Sequence, residues 1–232
     1  MLSKEFLTER GYCCGHGCLM CPYEPKHTKG NTNLMGYGNI KKNTLIVCAL
    51  EIETQGQLED YDVLYTGVGK VNATHHLTKR LLADKTMNYD VRIRLVINYG
   101  TAGSRKYQQG ELVDCTKFVQ RDMDVTGLGF IKYQTPFEKN MPIQLDCDDV
   151  DFNPIGKKAL CGSGDSFVQE ETIGDVVDME SYALAKVCKL YNVPFISFKY
   201  ITDGADGDAG VDWEENVGKG IMKFKKEILC KF

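Results

Sequence analysis

Short apolar runs alternate with amphipathic stretches along the chain from Thr44 onward. Each run is bounded by Gly, Asn, Asp or charged residues, so the runs predict buried strands over residues 44–50, 62–66, 94–98, 157–163 and 195–201. Residues 111–120 predict a bent strand or a pair of strands. Apolar residues at helical spacing predict helices over 71–84, 178–191 and 213–230, with Asp178 placed to cap the second. This alternation predicts an α/β domain with helices on both faces of the sheet.

The first 43 residues differ in character from the rest of the chain. Residues 1–31 form a cysteine-rich segment, and residues 32–43 carry Gly, Asn and Lys without an apolar period. We therefore expect three parts: a small cysteine-rich, metal-binding module over 1–31, a linker over 32–43 and one α/β domain over 44–232.

Composition narrows the class of protein. The 232 residues are 43% hydrophobic and 26% charged, which is typical of a folded globular chain and excludes a disordered or coiled-coil protein. The net charge of −4 argues against binding to nucleic acid through bulk charge. No apolar run is long enough to span a bilayer, and the first residues lack the apolar stretch of a signal peptide. We therefore expect a cytoplasmic protein with no membrane partner.

Four of the ten cysteines lie close together, and the other six are scattered as small buried hydrophobic residues would be. The clustered thiols are Cys13, Cys14, Cys18 and Cys21. They predict a structural metal site, with zinc favoured over an iron–sulfur cluster, and His16 or His27 could replace one ligand. A reduced turn without metal is the alternative. The spacing also imitates radical S-adenosylmethionine enzymes, but these need a large barrel that this chain does not predict.

Polar or glycine-rich groups follow several of the predicted strands. They are Glu51 and Glu53 after the first strand, residues 67–70 after the second, residues 98–104 after the third, and Thr202 with Asp203 after the last. Ligands of open α/β sheets bind at the carboxyl ends of strands, so these groups predict one site. The turn GVGK is not a Walker A phosphate loop, because Leu64 replaces its first glycine and Val71 follows the lysine.

Three carboxylates at strand or helix ends, Glu53, Glu180 and Asp203, suit a reaction with an oxocarbenium-like transition state. One carboxylate can bind sugar hydroxyls, one can activate water and one can protonate the leaving group.

Seven motifs occur in the order of a known family. They are ALEIE (49–53), TGVGKVNA (66–73), INYGTAG (97–103), DVTGLG (124–129), SGDSFV (163–168), VVDMESYALAKVC (176–188) and ITDGAD (201–206). The set resembles the nucleoside phosphorylase superfamily and, within it, the methylthioadenosine/S-adenosylhomocysteine nucleosidases. The resemblance covers about four-fifths of the chain and implies a three-layer αβα fold with a central mixed sheet.

The resemblance also implies a role for each matching residue. Asp203 protonates the leaving purine at N7, Glu53 activates water, and Glu180 binds the ribose hydroxyls. The implied substrate-binding residues are Met179 at the ribose, Phe167 and Val168 at the purine, Leu50 and Leu128 at the 5′ substituent, and Ala102 and Gly103 near the reacting centre.

Three features depart from the family pattern. Lys199 stands where the family has an arginine at the water site, and it can supply one charge but not the bidentate fork of arginine. Only 13 residues separate Glu53 from Gly67, so a family segment that shapes the pocket rim is shorter here. Ser181 follows Glu180 where the family more often has Gly or Ala.

The absence of arginines that could bind phosphate predicts which nucleophile the enzyme uses. Phosphorylases of this fold place an arginine where Asn98 stands, and no arginine lies between residues 44 and 79. A phosphate dianion needs charge-assisted donors, so water is favoured. The predicted activity is hydrolysis of methylthioadenosine or S-adenosylhomocysteine in methionine salvage, by a homodimer with no catalytic cofactor. A purine nucleoside phosphorylase and a nucleoside-binding regulator with a metal or redox sensor remain the alternatives.

Overall fold

The structure, a computed structural model, describes residues 10–18, 21, 23, 27–31, 43–87, 92–138, 141–168 and 172–231. Two compact units are present: residues 1–42 together with 232, and residues 43–231. The predicted linker, 32–43, lies outside the described residues except for Asn43. None of the helices in the described ranges combines the length and the apolar character needed to cross a bilayer.

The larger unit contains eight strands and five α-helices within its described residues. The strands are β1 Thr44–Cys48, β2 Asp62–Tyr65, β3 Leu95–Gly103, β4 Leu112–Gln120, β5 Gln144–Asp146, β6 Ala159–Ser163, β7 Val176–Asp178 and β8 Phe195–Asp203. The helices are α1 Glu51–Thr54, α2 Lys70–Asp84, α3 Ser181–Tyr191, α4 Ala209–Asn216 and α5 Ile221–Glu227. Two short 3₁₀ helices follow at Thr126–Leu128 and Leu229–Lys231.

All eight strands join one sheet with parallel and antiparallel pairs, and the predicted mixed sheet is confirmed. β2, β1, β3 and β8 run parallel to one another, whereas β4 pairs antiparallel with β8 and parallel with β6. β7 then joins β6 to the end of β3, which closes a ring in the order β3–β8–β4–β6–β7. β1 and β2 extend the sheet from β3, and β5 extends it from β4. The carboxyl ends of β1, β3 and β8 therefore meet on one edge.

The strands bury apolar residues on both faces of the sheet, which confirms helices on both sides. Val96 of β3 packs in the main core with residues of α2 and α3. Tyr99 points to the opposite face by strand alternation and stacks on Phe224 of α5, with ring centroids 4.4 Å apart. Phe198 of β8 approaches the same ring at 6.0 Å. The sheet is thus the middle layer between two groups of helices.

Several elements differ from their predicted bounds. β3 continues to Gly103, five residues beyond its predicted end at Asn98. Residues 176–178 form β7, so the helix predicted from 178 begins at Ser181. The helix predicted over 213–230 is two helices, separated by a segment that contains Gly218 and Gly220. The three-residue strands β5 and β7 were not predicted, because runs this short carry no period.

Candidate active site

A cavity of about 320 Å³ lies where β1, β3 and β8 end. It brings together the three predicted carboxylates, Glu53, Glu180 and Asp203, from three separate elements. The predicted residues that also line it are Leu50, Ala102, Gly103, Phe167, Val168 and Met179. Leu128 and Lys199 do not line it: Leu128 is 75% exposed on the short 3₁₀ helix, and Lys199 is fully buried.

Each carboxylate oxygen of Glu53 accepts two hydrogen bonds. It lies in α1, which begins directly after β1, and its side chain is buried. The backbone N–H groups of Ala49 and Leu50 donate to Oε2 at 3.1 and 3.0 Å. The N–H of Thr101 donates to Oε1 at 3.0 Å, and the Thr101 hydroxyl lies 3.2 Å from the same oxygen. An ionised carboxylate only accepts hydrogen bonds, so four donors fit that form.

Asp203 ends β8 and packs directly against β3. Its Oδ2 accepts a hydrogen bond from the Thr202 hydroxyl at 2.9 Å, and its Oδ1 accepts one from the Ala205 N–H at 2.9 Å. Burial raises the pKa of this carboxyl above its ordinary value, which is the direction that suits a general acid. A Cβ at Gly103 would lie 2.2 Å from Oδ1, so only glycine allows this approach.

Glu180 lies immediately before α3 and is buried at the cavity wall. The N–H of Gly69 donates to its Oε1 at 2.7 Å. Burial, together with the nearby Asp178 carboxylate, raises the pKa of Glu180 to about 8. Burial thus raises the pKa of both Glu180 and Asp203, whereas the surroundings of Glu53 provide four hydrogen-bond donors.

Lys199 lies beneath the cavity in an ion pair with Asp178, whose Oδ2 is 2.8 Å from Nζ. Although burial opposes ionisation of Asp178, the Lys199 charge lowers the pKa of this carboxyl to about 2. Burial alone would lower the pKa of Lys199, but Asp178 outweighs it and raises the value. A Cβ at Gly100 would lie 3.3 Å from Nζ and 3.2 Å from Glu53 Oε1, so both groups flank that glycine.

Ser181, the unusual residue after Glu180, completes a buried polar network around Asp178. Its N–H and hydroxyl lie 2.9 and 2.5 Å from Asp178 Oδ2. The same hydroxyl lies 3.0 Å from Oδ1 of Asn98, which also accepts from Ser197 at 2.8 Å. A Gly or Ala at 181 would remove the hydroxyl and leave Asp178 with one donor fewer. Asn98 stands at the position where an arginine would be expected in a phosphorylase, and here its side chain belongs to this network.

The GVGK turn binds the chain's own carboxylates. Gly69 donates to Glu180, and the N–H of Lys70 donates to Asp165 Oδ1 at 2.9 Å. The Lys70 ammonium pairs with Asp122 at 2.5 Å and with Asp165 at 3.0 Å. Gly69 has a φ of +91°, in the region that favours glycine. The turn therefore ties the Glu180 and Asp165 segments together instead of presenting free donors to a phosphate.

Eight of the residues that line the cavity were not predicted as site residues, including Thr101, Arg121 and Trp213. Thr101 and Trp213 line the cavity, and the indole Nε1 donates to the Thr101 hydroxyl at 2.9 Å. Arg121 also lines it, and its guanidinium donates to the carbonyls of Gly164, at 3.0 Å, and Ser166. Trp213 is the single tryptophan of the chain, which was the one signal in the sequence that could have marked it.

The clustered cysteines lie in the smaller unit, around a cavity of about 10 Å³. Their sulfurs form two pairs: Cys13 and Cys21 at 3.6 Å, and Cys14 and Cys18 at 3.4 Å. Among the described residues, no group of three or more Cys, His, Asp or Glu side chains is arranged to hold a metal ion. The metal site therefore stays a prediction.

The chain matches the phosphorylase superfamily over residues 54–229. It is 31% identical over 199 residues to the 5′-methylthioadenosine/S-adenosylhomocysteine nucleosidase of Staphylococcus carnosus, an alignment that covers 75% of this chain and 83% of that protein. The nucleosidase of the same name from Buchnera aphidicola is 32% identical over 200 residues, with 75% and 82% covered. The chain therefore belongs to the phosphorylase superfamily and, within it, to the 5′-methylthioadenosine/S-adenosylhomocysteine nucleosidase family.

Solved structures show the same fold. A mutant of the Helicobacter pylori nucleosidase with 5′-methylthioadenosine in the active site matches with a TM-score of 0.68 at 22% identity, covering 82% of this chain and 99% of that one. The futalosine hydrolase of Helicobacter pylori also matches with a TM-score of 0.68, at 20% identity, covering 84% and 100%. The predicted phosphorylase-type fold is confirmed.

The protonation of Glu180 predicts a pH dependence of stability. Its pKa rises from an ordinary 4.5 to about 8 in the folded chain, so the folded state holds this proton more tightly than the unfolded chain does. The stabilisation is complete below the unfolded value and is lost as the pH rises through 8. Glu180→Gln has no proton to lose at this position, so it does not share the loss of stability. The melting temperature of the variant minus that of wild type should therefore be a few degrees larger at about pH 8 than at about pH 5.

Thermal unfolding of both proteins at the two pH values measures this difference. Glu51→Gln, a change of the same kind at an exposed position of α1, is the control and should follow wild type. An equal difference between Glu180→Gln and wild type at both pH values would contradict the assignment.

Proposed function

We propose that the protein hydrolyses the N-glycosidic bond of 5′-methylthioadenosine or S-adenosylhomocysteine, releasing adenine and the thioribose. The observation that carries this proposal is the set of three buried carboxylates around one cavity, with the exposed ring of Phe167 at its side. The curated relatives that carry the nucleosidase name support the choice of substrate. A role in methionine salvage and a cytoplasmic location are further parts of this proposal.

In the proposed reaction, the bond between the sugar C1′ and the purine nitrogen breaks as a water oxygen bonds to C1′. Glu53 accepts a proton from this water, and Asp203 gives a proton to the departing base at N7, so the charges balance. Glu180 binds the ribose hydroxyls, and these contacts strengthen as the sugar becomes cationic. Phe167 stacks on the purine, Val168 contacts its edge, and Met179 contacts the ribose.

Water is the proposed nucleophile because most donors near the cavity already have partners; the buried Arg121 Nε is the exception, with no hydrogen-bond partner among the described residues. The N–H groups of Gly69 and Lys70 donate to carboxylates, and the Lys70 ammonium is paired twice. The Lys199 ammonium is paired with Asp178. Arg121, the one cation among the described residues that line the cavity, donates to two carbonyls. A phosphate dianion would have to displace these contacts, five of which are made with carboxylates.

Asp203→Asn should lower the turnover number by roughly 10² to 10⁴, because the amide cannot deliver a proton. Its affinity for the nucleoside should change little, since an amide still forms a hydrogen bond near N7. Glu53→Gln should cause a comparable loss through the water. Adenine release from methylthioadenosine, measured with and without phosphate, gives the rates.

Asp206→Asn, the same change at an exposed position three residues further along, is the matched control and should retain turnover. Full turnover by Asp203→Asn would contradict the role of that residue. A requirement for phosphate, with a sugar 1-phosphate as product, would establish the phosphorylase alternative instead. Binding of the nucleoside without any cleavage would favour the binding regulator.

We also propose that Cys13, Cys14, Cys18 and Cys21 form one structural metal site. Zinc is favoured over an iron–sulfur cluster. All four line one small cavity, and the separations of 3.4 and 3.6 Å within the two pairs are close to the roughly 3.8 Å between thiolates of a tetrahedral zinc site with bonds of about 2.3 Å. Loading would require the two pairs to close around one point.

Elemental analysis of anaerobically purified protein should find about one zinc per chain, or iron with visible absorption. Cys18→Ser and Cys21→Ser should lose the metal, because each removes a thiolate ligand. Cys230→Ser removes an exposed thiol of the other unit and should keep it. Protein without zinc or iron, or with the pairs linked as disulfides, would overturn this proposal.

A homodimer is the third part of the proposal. Apolar side chains at Leu128, Ile131 and Phe137 are 75%, 67% and 85% exposed within one segment, and such a surface is commonly covered by a partner. Leu128 could then serve the site of a second copy. Light scattering during gel filtration should give twice the chain mass, and a monomer at every concentration would contradict the dimer.

A further inference from the structure

Trp213 lies at the cavity wall, and its side chain reaches Glu53, the proposed base, through the Thr101 hydroxyl. It lies in α4, the helix that follows the Asp203 loop, and it lines the cavity. Its Nε1 is 2.9 Å from the Thr101 hydroxyl oxygen. That oxygen is in turn 3.2 Å from Glu53 Oε1. The residues therefore form a chain of contacts from indole to hydroxyl to carboxylate.

The direction of each hydrogen bond in this chain is fixed by chemistry. An indole N–H can only donate, so the Thr101 oxygen accepts from Trp213. An ionised carboxylate can only accept, so the one hydroxyl proton of Thr101 points to Glu53. The Trp213 N–H thus occupies a lone pair of the Thr101 hydroxyl oxygen. The proton of that hydroxyl remains directed at Glu53.

The Thr101 hydroxyl is the adjustable contact of Glu53. The other three donors are backbone N–H groups of Ala49, Leu50 and Thr101, which the strands and α1 hold in place. A hydroxyl can rotate about its C–O bond, so its proton stays on Oε1 only while its other contacts hold it. Trp213 supplies that restraint.

We propose that Trp213 is a positioning residue for Glu53, acting through the Thr101 hydroxyl to hold the carboxylate toward the attacking water. This inference rests on the proposed hydrolysis and adds a residue to it. It predicts that Trp213 and Thr101 affect turnover as one unit, and not as two independent parts of the cavity wall.

Kinetics with methylthioadenosine test the unit. Thr101→Val removes the hydroxyl and should lower kcat about tenfold or more, with little change in KM, because a hydrogen bond to a charged group is lost. Thr101→Ser keeps the hydroxyl and should restore most of kcat. Trp213→Phe keeps an aromatic ring but loses the N–H, so it should lower kcat several-fold. In the Thr101→Val background, the same change should cost nothing further in kcat.

Val211→Ala, an exposed change on the same helix, is the control and should keep wild-type kinetics. Equal kcat losses from Trp213→Phe in both backgrounds would overturn the proposal, since the indole would then act independently of Thr101. So would a Trp213→Phe effect confined to KM, which would make the indole part of the cavity wall alone.

Fluorescence gives a readout that needs neither substrate nor a folded Trp213 variant. Because Trp213 is the only tryptophan, its emission reports its own environment. Loss of the acceptor in Thr101→Val should shift the emission maximum, and Thr101→Ser should restore it. Unchanged emission in Thr101→Val would overturn the proposed bond.

The two proposals can fail separately. A wild-type protein that releases no adenine contradicts the hydrolysis, and the fluorescence comparison then still supports or overturns the link between Trp213 and Thr101. Normal hydrolysis with additive kcat losses contradicts only the role of Trp213.

Discussion

The ion pair between Asp178 and Lys199 is the interaction on which the rest of the site depends. It joins the end of β7 to β8 inside the closed ring of strands, and both side chains are almost inaccessible to solvent. A buried charge without its partner costs about 3–5 kcal/mol, so each residue requires the other. Ser163, at the end of β6, and Ser181, at the start of α3, add hydrogen bonds to the same carboxylate. One buried charge thus fixes the relative positions of four elements.

The cavity is built on this base, with its three carboxylates in different surroundings. Glu53 is surrounded by donors, Asp203 is buried with two donors, and Glu180 is buried beside another carboxylate. Chemically identical groups can serve as base, acid and ligand when their environments separate their proton affinities. Backbone N–H groups provide most of these contacts, so the arrangement exists before substrate arrives and needs little reorganisation during the reaction.

Much of this could be predicted from the sequence, and the failures have physical causes. The long apolar runs gave β1, β4 and β8 nearly in place, and the ordered motifs led to all three carboxylates. The end of β3 was missed because its residues are small, and they are small because Glu53, Lys199 and Asp203 approach the strand closely. Lys199, which the resemblance places at the water site, does not line the cavity and pairs with Asp178, a partner that only the ring closure brings near. Trp213 belongs to no motif in the sequence, and its contact with Thr101 depends on the separate helix α4, Ala209–Asn216, which the predicted single helix over 213–230 does not describe.

The contact between Gly103 and Asp203 has a consequence for sequence variation. The carboxylate occupies the space of a side chain on the neighbouring strand, so the two positions cannot vary independently. A relative that keeps the acid at the end of β8 must keep glycine opposite it, so a residue with a Cβ at that position marks a chain without the acid. The pair therefore distinguishes chains of this fold that retain the acid from those that have given it up, even where the overall identity is low.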